Sequence, residues 1–244
     1  MIKLYYSWYS ICSEKVLICL FEKGLLFESE QVDLFKFEQV RDEYLSINPN
    51  GKVPTLVHDD NILIESTLIN EFLDDNYPKV RLIPDNPHQR FEMRTWVHYA
   101  QENMFPSAGL ISQVHFVAEE LKSRWPKEEL ERLIGKKVSK IGAAKQLKAV
   151  TDGVDSEDFE NANDKFADAI DLMEAALEQN GPWLVGDYSL ADIAVAPNLY
   201  RMHCLGMENF WKDHHPRVTD WYERLTAREA FQKTYEFSPP TAPE

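Results

Sequence analysis

MIKLYYSWYSICSEKVLICLFEKG, residues 1–24, reads as a short strand over residues 2–6, a turn, and a helix beginning near Ile11 or Cys12. Three nucleophile-type side chains, Ser10, Cys12 and Ser13, sit where strand becomes helix. The first turn of a helix has unpaired N–H groups and a partial positive charge, so an anion placed there is stabilised. A thiolate is such an anion, whether it belongs to the chain or to a bound thiol cofactor. A serine at this place also caps a helix, and one residue can be both cap and site.

Working outward, residues 26–33 alternate well enough for a second strand, and residues 37–45 read as a short helical segment. Asn48-Pro49-Asn50-Gly51 is a turn cluster. A third strand over residues 52–57 carries Pro54 near its start, where a missing N–H is tolerated at an edge or serves a special turn. A tight turn at residues 59–61 leads to a fourth strand over residues 62–64. Glu65-Ser66 then opens a helix over residues 67–76. The order β-α-β-α-β-β-α predicts a thioredoxin-like α/β domain with a mixed four-stranded sheet, residues 1–82.

The PDNP run within residues 83–87 reads as a linker, and strand signals then almost vanish. An all-α domain is expected over residues 88–235, with Phe105-Pro106 interrupting or bending its first helix. Residues 119–156 are charged and punctuated by Pro126, Gly135, Gly142 and Gly153, which predicts short exposed helices and loops. Phe159, Ala162, Phe166, Ile170, Met173 and Leu177 form one apolar stripe of a long helix. Ser189 with Asp192 resembles a capping box ahead of an all-round apolar, buried helix. Trp221, Tyr222 and Leu225 belong to a last helix, and residues 236–244 to a disordered tail.

The chain has 244 residues and a formal charge of −15, from 26 Lys plus Arg against 41 Asp plus Glu. That balance argues against nucleic-acid or anionic-membrane partners. No apolar run approaches a membrane span and no signal-peptide pattern opens the sequence, so a cytoplasmic location is expected. The three cysteines, Cys12, Cys19 and Cys204, fit a reduced compartment. Cys12 and Cys19 lie roughly 10 Å apart along one helix, beyond the span of about 7 Å that a disulfide bridges. No CxxC and no zinc-ligand spacing is present, so no metal is expected, and His214-His215 reads as a solvated loop.

Together, the strand–serine–helix start, Lys52-Val53-Pro54, Glu65-Ser66, the helical second half and the Ser189-to-Asp192 cap resemble a cytosolic glutathione S-transferase. The resemblance implies glutathione as co-substrate, a hydrophobic small-molecule second substrate and a homodimer. It implies that Pro54 is a cis-proline and that Val53 pairs its backbone with the cysteinyl part of glutathione. Glu65 and Ser66 would hold the γ-glutamyl amine and carboxylate, and Gln39 and Lys52 the glycine end. Ser10-Ile11-Cys12-Ser13 is similar to the motif of zeta-type maleylacetoacetate isomerases and tetrachlorohydroquinone dehalogenases. In that setting Ser10 holds the thiolate and Cys12 exchanges disulfides with glutathione. Other runs resemble the bacterial glutathione-dependent β-aryl etherases: residues 21–25, 36–39 and 65–67, Glu92-Met93-Arg94 with Trp96, and the charged insertion. There the hydroxyl matching Ser13 faces the thiol, so Ser13 is expected as the thiol partner, with Ser10 second. Three functions follow as alternatives: a transferase acting by thioether formation, with β-aryl ether cleavage within reach; a thiol-redox enzyme using Cys12; and a non-catalytic binding protein. Retention of the hydroxyls and of Glu65-Ser66 ranks the third last.

Overall fold

β1 (Ile2–Tyr6) lies inside a four-stranded sheet of order β2-β1-β3-β4. This computed structural model describes residues 1–237, and the expected tail beyond Phe237 lies outside the described residues. β1 runs parallel to β2 (Glu28–Gln31) and antiparallel to β3 (Thr55–His58), which pairs antiparallel with β4 (Asn61–Ile64). The mixed sheet expected from the sequence is therefore present. α1 (Ile11–Glu22) crosses between β1 and β2, because a parallel pair needs a crossover and a hairpin cannot make one. Its Val16, Leu17, Ile18 and Leu20 are fully buried, with Leu4 and Leu56 of the sheet and Ile69 and Leu73 of α3 in the same core.

The short helical segment expected over residues 37–45 is a 3₁₀ turn, Glu38–Val40, and a single α-turn, α2 (Asp42–Leu45), with another 3₁₀ turn, Leu34–Lys36, just before it. Phe37 between the two 3₁₀ turns adopts φ 54°, a left-handed conformation that an α-helix cannot contain. The β3–β4 hairpin then feeds α3 (Ser66–Asn76).

In the helical half, α4 (Pro87–Tyr99), α5 (Phe105–Ser112) and α6 (Ala118–Arg124) run on through π turns at Ala100–Met104 and Gln113–Val117. Phe105-Pro106 therefore does not interrupt the helix. The Phe105 N–H reaches back to the Ala100 carbonyl, and this widened turn takes in a proline that has no N–H and would crowd an ordinary turn. α9 (Ser156–Asn180) carries the expected apolar stripe, and α10 (Leu190–Cys204) is buried nearly all round.

Further expectations fail in the helical half. The chain does not end its helices at α11 (Pro216–Thr226), since α12 (Glu229–Phe237) follows and packs on α1. Nor are residues 119–156 an exposed appendage. α7 (Lys127–Gly135) and α8 (Lys140–Thr151) build a second core from Leu130, Leu133, Ile134, Ala143 and Val150. That core closes against Trp8, Phe35, Phe37 and Val40 of the first half. The charged residues occupy the outer faces of short amphipathic helices, so overall composition concealed their apolar faces. His214 and His215 do lie in the loop ahead of α11, with His214 exposed, while His215 is held by its Nε2, 2.7 Å from Asp171 Oδ1.

Candidate functional site

The β1–α1 turn supplies the first wall of a cavity of about 460 Å³, a volume in the range of small-molecule sites. Ser10 is the N-cap of α1, and its Oγ accepts from the Ser13 N–H at 3.2 Å. The Glu14 N–H bonds the Ser10 carbonyl. Of the four orphan amides of a helix start, Ile11 and Cys12 N–H are left for an anion. The Ser10 hydroxyl uses a lone pair as cap, so its proton stays free to donate into the cavity. Ser10 and Cys12 both line that cavity. Ser13 does not. It is fully buried behind the turn, and its Oγ accepts from the Ser7 N–H at 3.2 Å.

Residues 48–55 form the second wall. Asn48 Nδ2 donates to the Lys52 carbonyl and to Thr55 Oγ1, each at 2.9 Å. Tyr44 and Thr55 share a hydrogen bond of 2.8 Å between their hydroxyls. This buried network holds Lys52, Val53 and Pro54 at the cavity edge, and the Val53–Pro54 bond is cis. Gly51 has φ +57°, and a Cβ there would stand 2.9 Å from the Gln39 carbonyl. Only glycine fits that approach. Gln39 is buried on the wall with its Oε1 unpartnered. Glu65 is held at φ 69°, a strained conformation for a side chain with a Cβ, and Ser66 begins α3. Strain of that kind collects where a fold must present a group in one direction.

The third wall is helical. Gln101 and Phe105 at the first π turn, Val117 and Leu121 beyond it, and Lys137 and Gln146 of the α7–α8 pair complete the cavity. Tyr9 reaches it from an aromatic cluster, with ring centroids 5.2 Å from Phe35 and 5.1 Å from Phe116. Trp8 stacks on Phe35 at 5.5 Å behind this surface and is buried.

Three buried charges stand close behind the first wall. Glu14 accepts from the Tyr235 hydroxyl at 3.0 Å and lies 3.6 Å from Arg201; burial pushes its carboxyl up while Arg201 opposes the shift. Arg201 donates to the Tyr9 carbonyl at 3.3 Å, with its guanidinium 3.7 Å from the Tyr9 ring centroid. The residue ahead of Ser10 is thus fixed from α10. Lys15 is buried, donates to Gln101 Oε1 at 3.3 Å, and has its pKa pushed down by burial.

Of the residues singled out in the sequence, Ser10, Cys12, Gln39, Lys52, Val53, Pro54, Glu65 and Ser66 meet in one cavity. Asn48, Gln101, Arg201, Lys137 and Gln146 were not singled out. Glu14-Lys15 on a helix otherwise apolar all round is a signal that buried charges stand beside the turn. Lys137 sits in a lysine pair that reads as surface. Among the described residues no cluster of His, Cys, Asp or Glu is suited to a metal ion, and no helix is long and apolar enough to cross a membrane.

The family models for the glutathione S-transferase N-terminal and C-terminal domains match residues 9–76 and 156–224. The chain is 32% identical to Protein LigF of Sphingobium sp. over 97% of its own length and 94% of that protein. It belongs to the glutathione S-transferase family. The crystal structure of the β-etherase LigF superposes with a TM-score of 0.88 at 30% identity, covering 97% of this chain and 99% of that one. Glutathione S-transferase F10 of Arabidopsis thaliana is 28% identical over 91% of this chain and 90% of the plant protein. This transferase is therefore an enzyme of a family that uses glutathione as co-substrate, and its α/β-plus-helical architecture is the family's.

Proposed function

We propose that the transferase binds glutathione along the 51–54 edge and directs its thiolate at an electrophilic carbon of a hydrophobic, aromatic substrate, with β-aryl ether cleavage as the reaction. The observation carrying this reading is the convergence of Ser10, Val53, Glu65 and Ser66 on one cavity that also takes in the apolar and aromatic side chains Tyr9, Phe35, Phe105, Val117 and Leu121. The γ-glutamyl carboxylate meets the start of α3 at Ser66, where backbone N–H groups favour an anion, and the γ-glutamyl ammonium meets Glu65. Val53 pairs its backbone with the cysteinyl part. The thiol then lies at the start of α1.

Ser10 is the better thiol partner. Each hydroxyl accepts from one amide and keeps its proton, but Ser10 lines the cavity whereas Ser13 is fully buried behind the turn. The hydrogen bond from Ser10, with the Ile11 and Cys12 amides, favours the thiolate over the thiol. In the reaction the thiolate forms a carbon–sulfur bond as the carbon–oxygen bond of the ether breaks. The aryl oxygen leaves with the electron pair and takes up a proton, and the thioether is the product. Tyr9, Phe35 and Phe105 offer faces on which an aryl group stacks. The likeness to the β-etherase LigF over nearly the whole chain favours this substrate class.

Cys12 on the cavity wall favours a second reading, in which it takes up glutathione as a mixed disulfide during reductive chemistry. Turnover of a β-aryl ether model and of a halogenated hydroquinone, each with glutathione, separates the two. A thioether product from the ether supports the first; oxidised glutathione from the hydroquinone alone supports the second.

The homodimer belongs to the same proposal. Leu68 on α3 and Phe91 on α4 are 63% and 73% exposed. Glu71 and Arg94, three residues on from each, form a two-pronged ion pair at 3.1 and 2.8 Å. Residues three apart share a helix face, so Leu68 and Phe91 flank that pair on one surface suited to a second copy.

A further inference from the structure

The α7–α8 turn lies outside both segments that match the family models, yet it forms part of the cavity wall. The chain leading into α7 is anchored to the loop that carries Gln39. Trp125 Nε1 donates to the Phe35 carbonyl at 2.8 Å, and its ring meets Phe37 edge-on at 6.4 Å. Val138 Cγ2 stands 3.3 Å from the point where a Cβ on Gly51 would be. The turn therefore sits against Gly51-Lys52, at the opposite side of Val53 from Glu65 and Ser66 in sequence.

Lys137 reaches this wall part-buried, with Nζ donating to Gln146 Oε1 at 2.7 Å. Among the described residues no carboxylate forms an ion pair with it. Burial pushes its pKa down. A part-buried ammonium with a neutral partner is poorly compensated, and an incoming carboxylate supplies what it lacks. Lys52 is the other cation on the wall, and it is exposed, so solvent screens it more. Gln39, beside them, has its Oε1 buried and unpartnered. A chain of net charge −15 has all the more need of a local cation to receive an anionic ligand.

We propose that Lys137, carried by the inserted helices, receives the glycyl carboxylate of glutathione and makes the site selective for the tripeptide over γ-glutamylcysteine. This rests on the glutathione reading above and adds to it a residue from the helical half. Gln146 is a positioning residue, holding the ammonium toward the cavity.

The test is calorimetry with two ligands, glutathione and γ-glutamylcysteine, which lacks the glycine. The unaltered enzyme should bind glutathione more tightly. Lys137→Gln should weaken glutathione more than tenfold, as loss of a charged hydrogen bond does, and leave γ-glutamylcysteine unchanged. Lys137→Arg should restore most of the preference, and matching melting temperatures show that the variants fold. Equal weakening of both ligands, no weakening of either, or a change only in KM for the aromatic substrate overturns the proposal. Ser66→Ala should weaken both ligands alike; if neither ligand binds the unaltered enzyme, it is the glutathione reading itself that falls.

Discussion

Ser10 combines two roles that the sequence leaves open, because a hydroxyl has lone pairs and a proton to place separately. As N-cap it accepts from Ser13 N–H, and its own proton remains for the cavity. Ser10→Ala should therefore raise the pKa of enzyme-bound glutathione and lower stability by about 1 kcal/mol, the usual worth of a cap. Ser13→Ala should leave the titration in place, because Ser13 is fully buried behind the turn and does not line the cavity. Ultraviolet titration of the bound thiolate in both variants decides; a shift in the Ser13 variant alone returns that residue to the thiol. Ser66→Ala should reduce glutathione affinity more than tenfold, about 1.5–3 kcal/mol for a hydrogen bond to a charged group. Cys12→Ser should retain most turnover with an ether, since thioether formation needs only the cofactor's thiolate. Near-complete loss, with a Cys12–glutathione disulfide seen by mass spectrometry, would establish the redox reading. Residue types at the turn were legible in SICS. Their directions were not, because these depend on which residue ends the extended backbone, and Ser10 does so at φ −112° and ψ 106°.

α10 shows what a short pattern specifies well. Ser189 and Asp192 form the expected capping box, with Asp192 Oδ2 accepting the Ser189 N–H at 3.0 Å and Ser189 Oγ accepting the Ala191 N–H at 3.2 Å. Asp192 Oδ1 also takes the Leu184 N–H at 3.2 Å and the Trp221 indole N–H at 2.8 Å. These two partners lie on other elements, so the four-residue motif could not announce them. Burial outweighs the donors and pushes the Asp192 carboxyl up to about 6. The folded carboxyl thus keeps its proton to higher pH than the unfolded one, whose value is near 3.8. Its contribution to stability is full below about pH 4 and is lost as pH rises through about 6. A carboxyl carbon NMR titration should place its midpoint near 6, and a midpoint at or below 4 would refute this. Asp192→Ala leaves three buried N–H groups without an acceptor and should cost about 3 kcal/mol or more, lowering the melting temperature by roughly 10 °C. The four strands and the long helices were legible because each follows from a short period and nearby turn residues; the order of the strands in the sheet was not, because pairing joins residues far apart in the chain. The α7–α8 fold was not, because its apolar faces find partners in Phe35 and Phe37, about a hundred residues upstream.

At the scale of the whole molecule, one core runs from the sheet into the helical half. α10 and α12 both pack on α1, and Arg228 grips Glu22 through two hydrogen bonds of 2.6 and 2.8 Å. The cavity is built by both halves, and the proposed domain division at residues 83–87 separates secondary-structure types rather than independent cores. Of the exposed large apolar side chains, Leu68 and Phe91 lie on α3 and α4, the helices tied by Glu71 and Arg94. A stable interface of the usual size covers about 800 Å² per partner, far more than two side chains, so the proposed homodimer calls for more of the surface of α3, α4 and β4 than these two residues. Ile62 on β4 is half exposed and extends the same requirement. Large side chains near the middle of such a face carry most of its binding energy. Leu68→Glu combined with Phe91→Glu places two carboxylates where each must face apolar surface or the other copy's charges. Light scattering should report a dimer for the unaltered enzyme and a monomer of unchanged circular dichroism for the double variant. Val53, Glu65 and Ser66, proposed to hold glutathione, all lie on one chain, so that monomer should still bind it; a variant that stays dimeric would move the interface to another face.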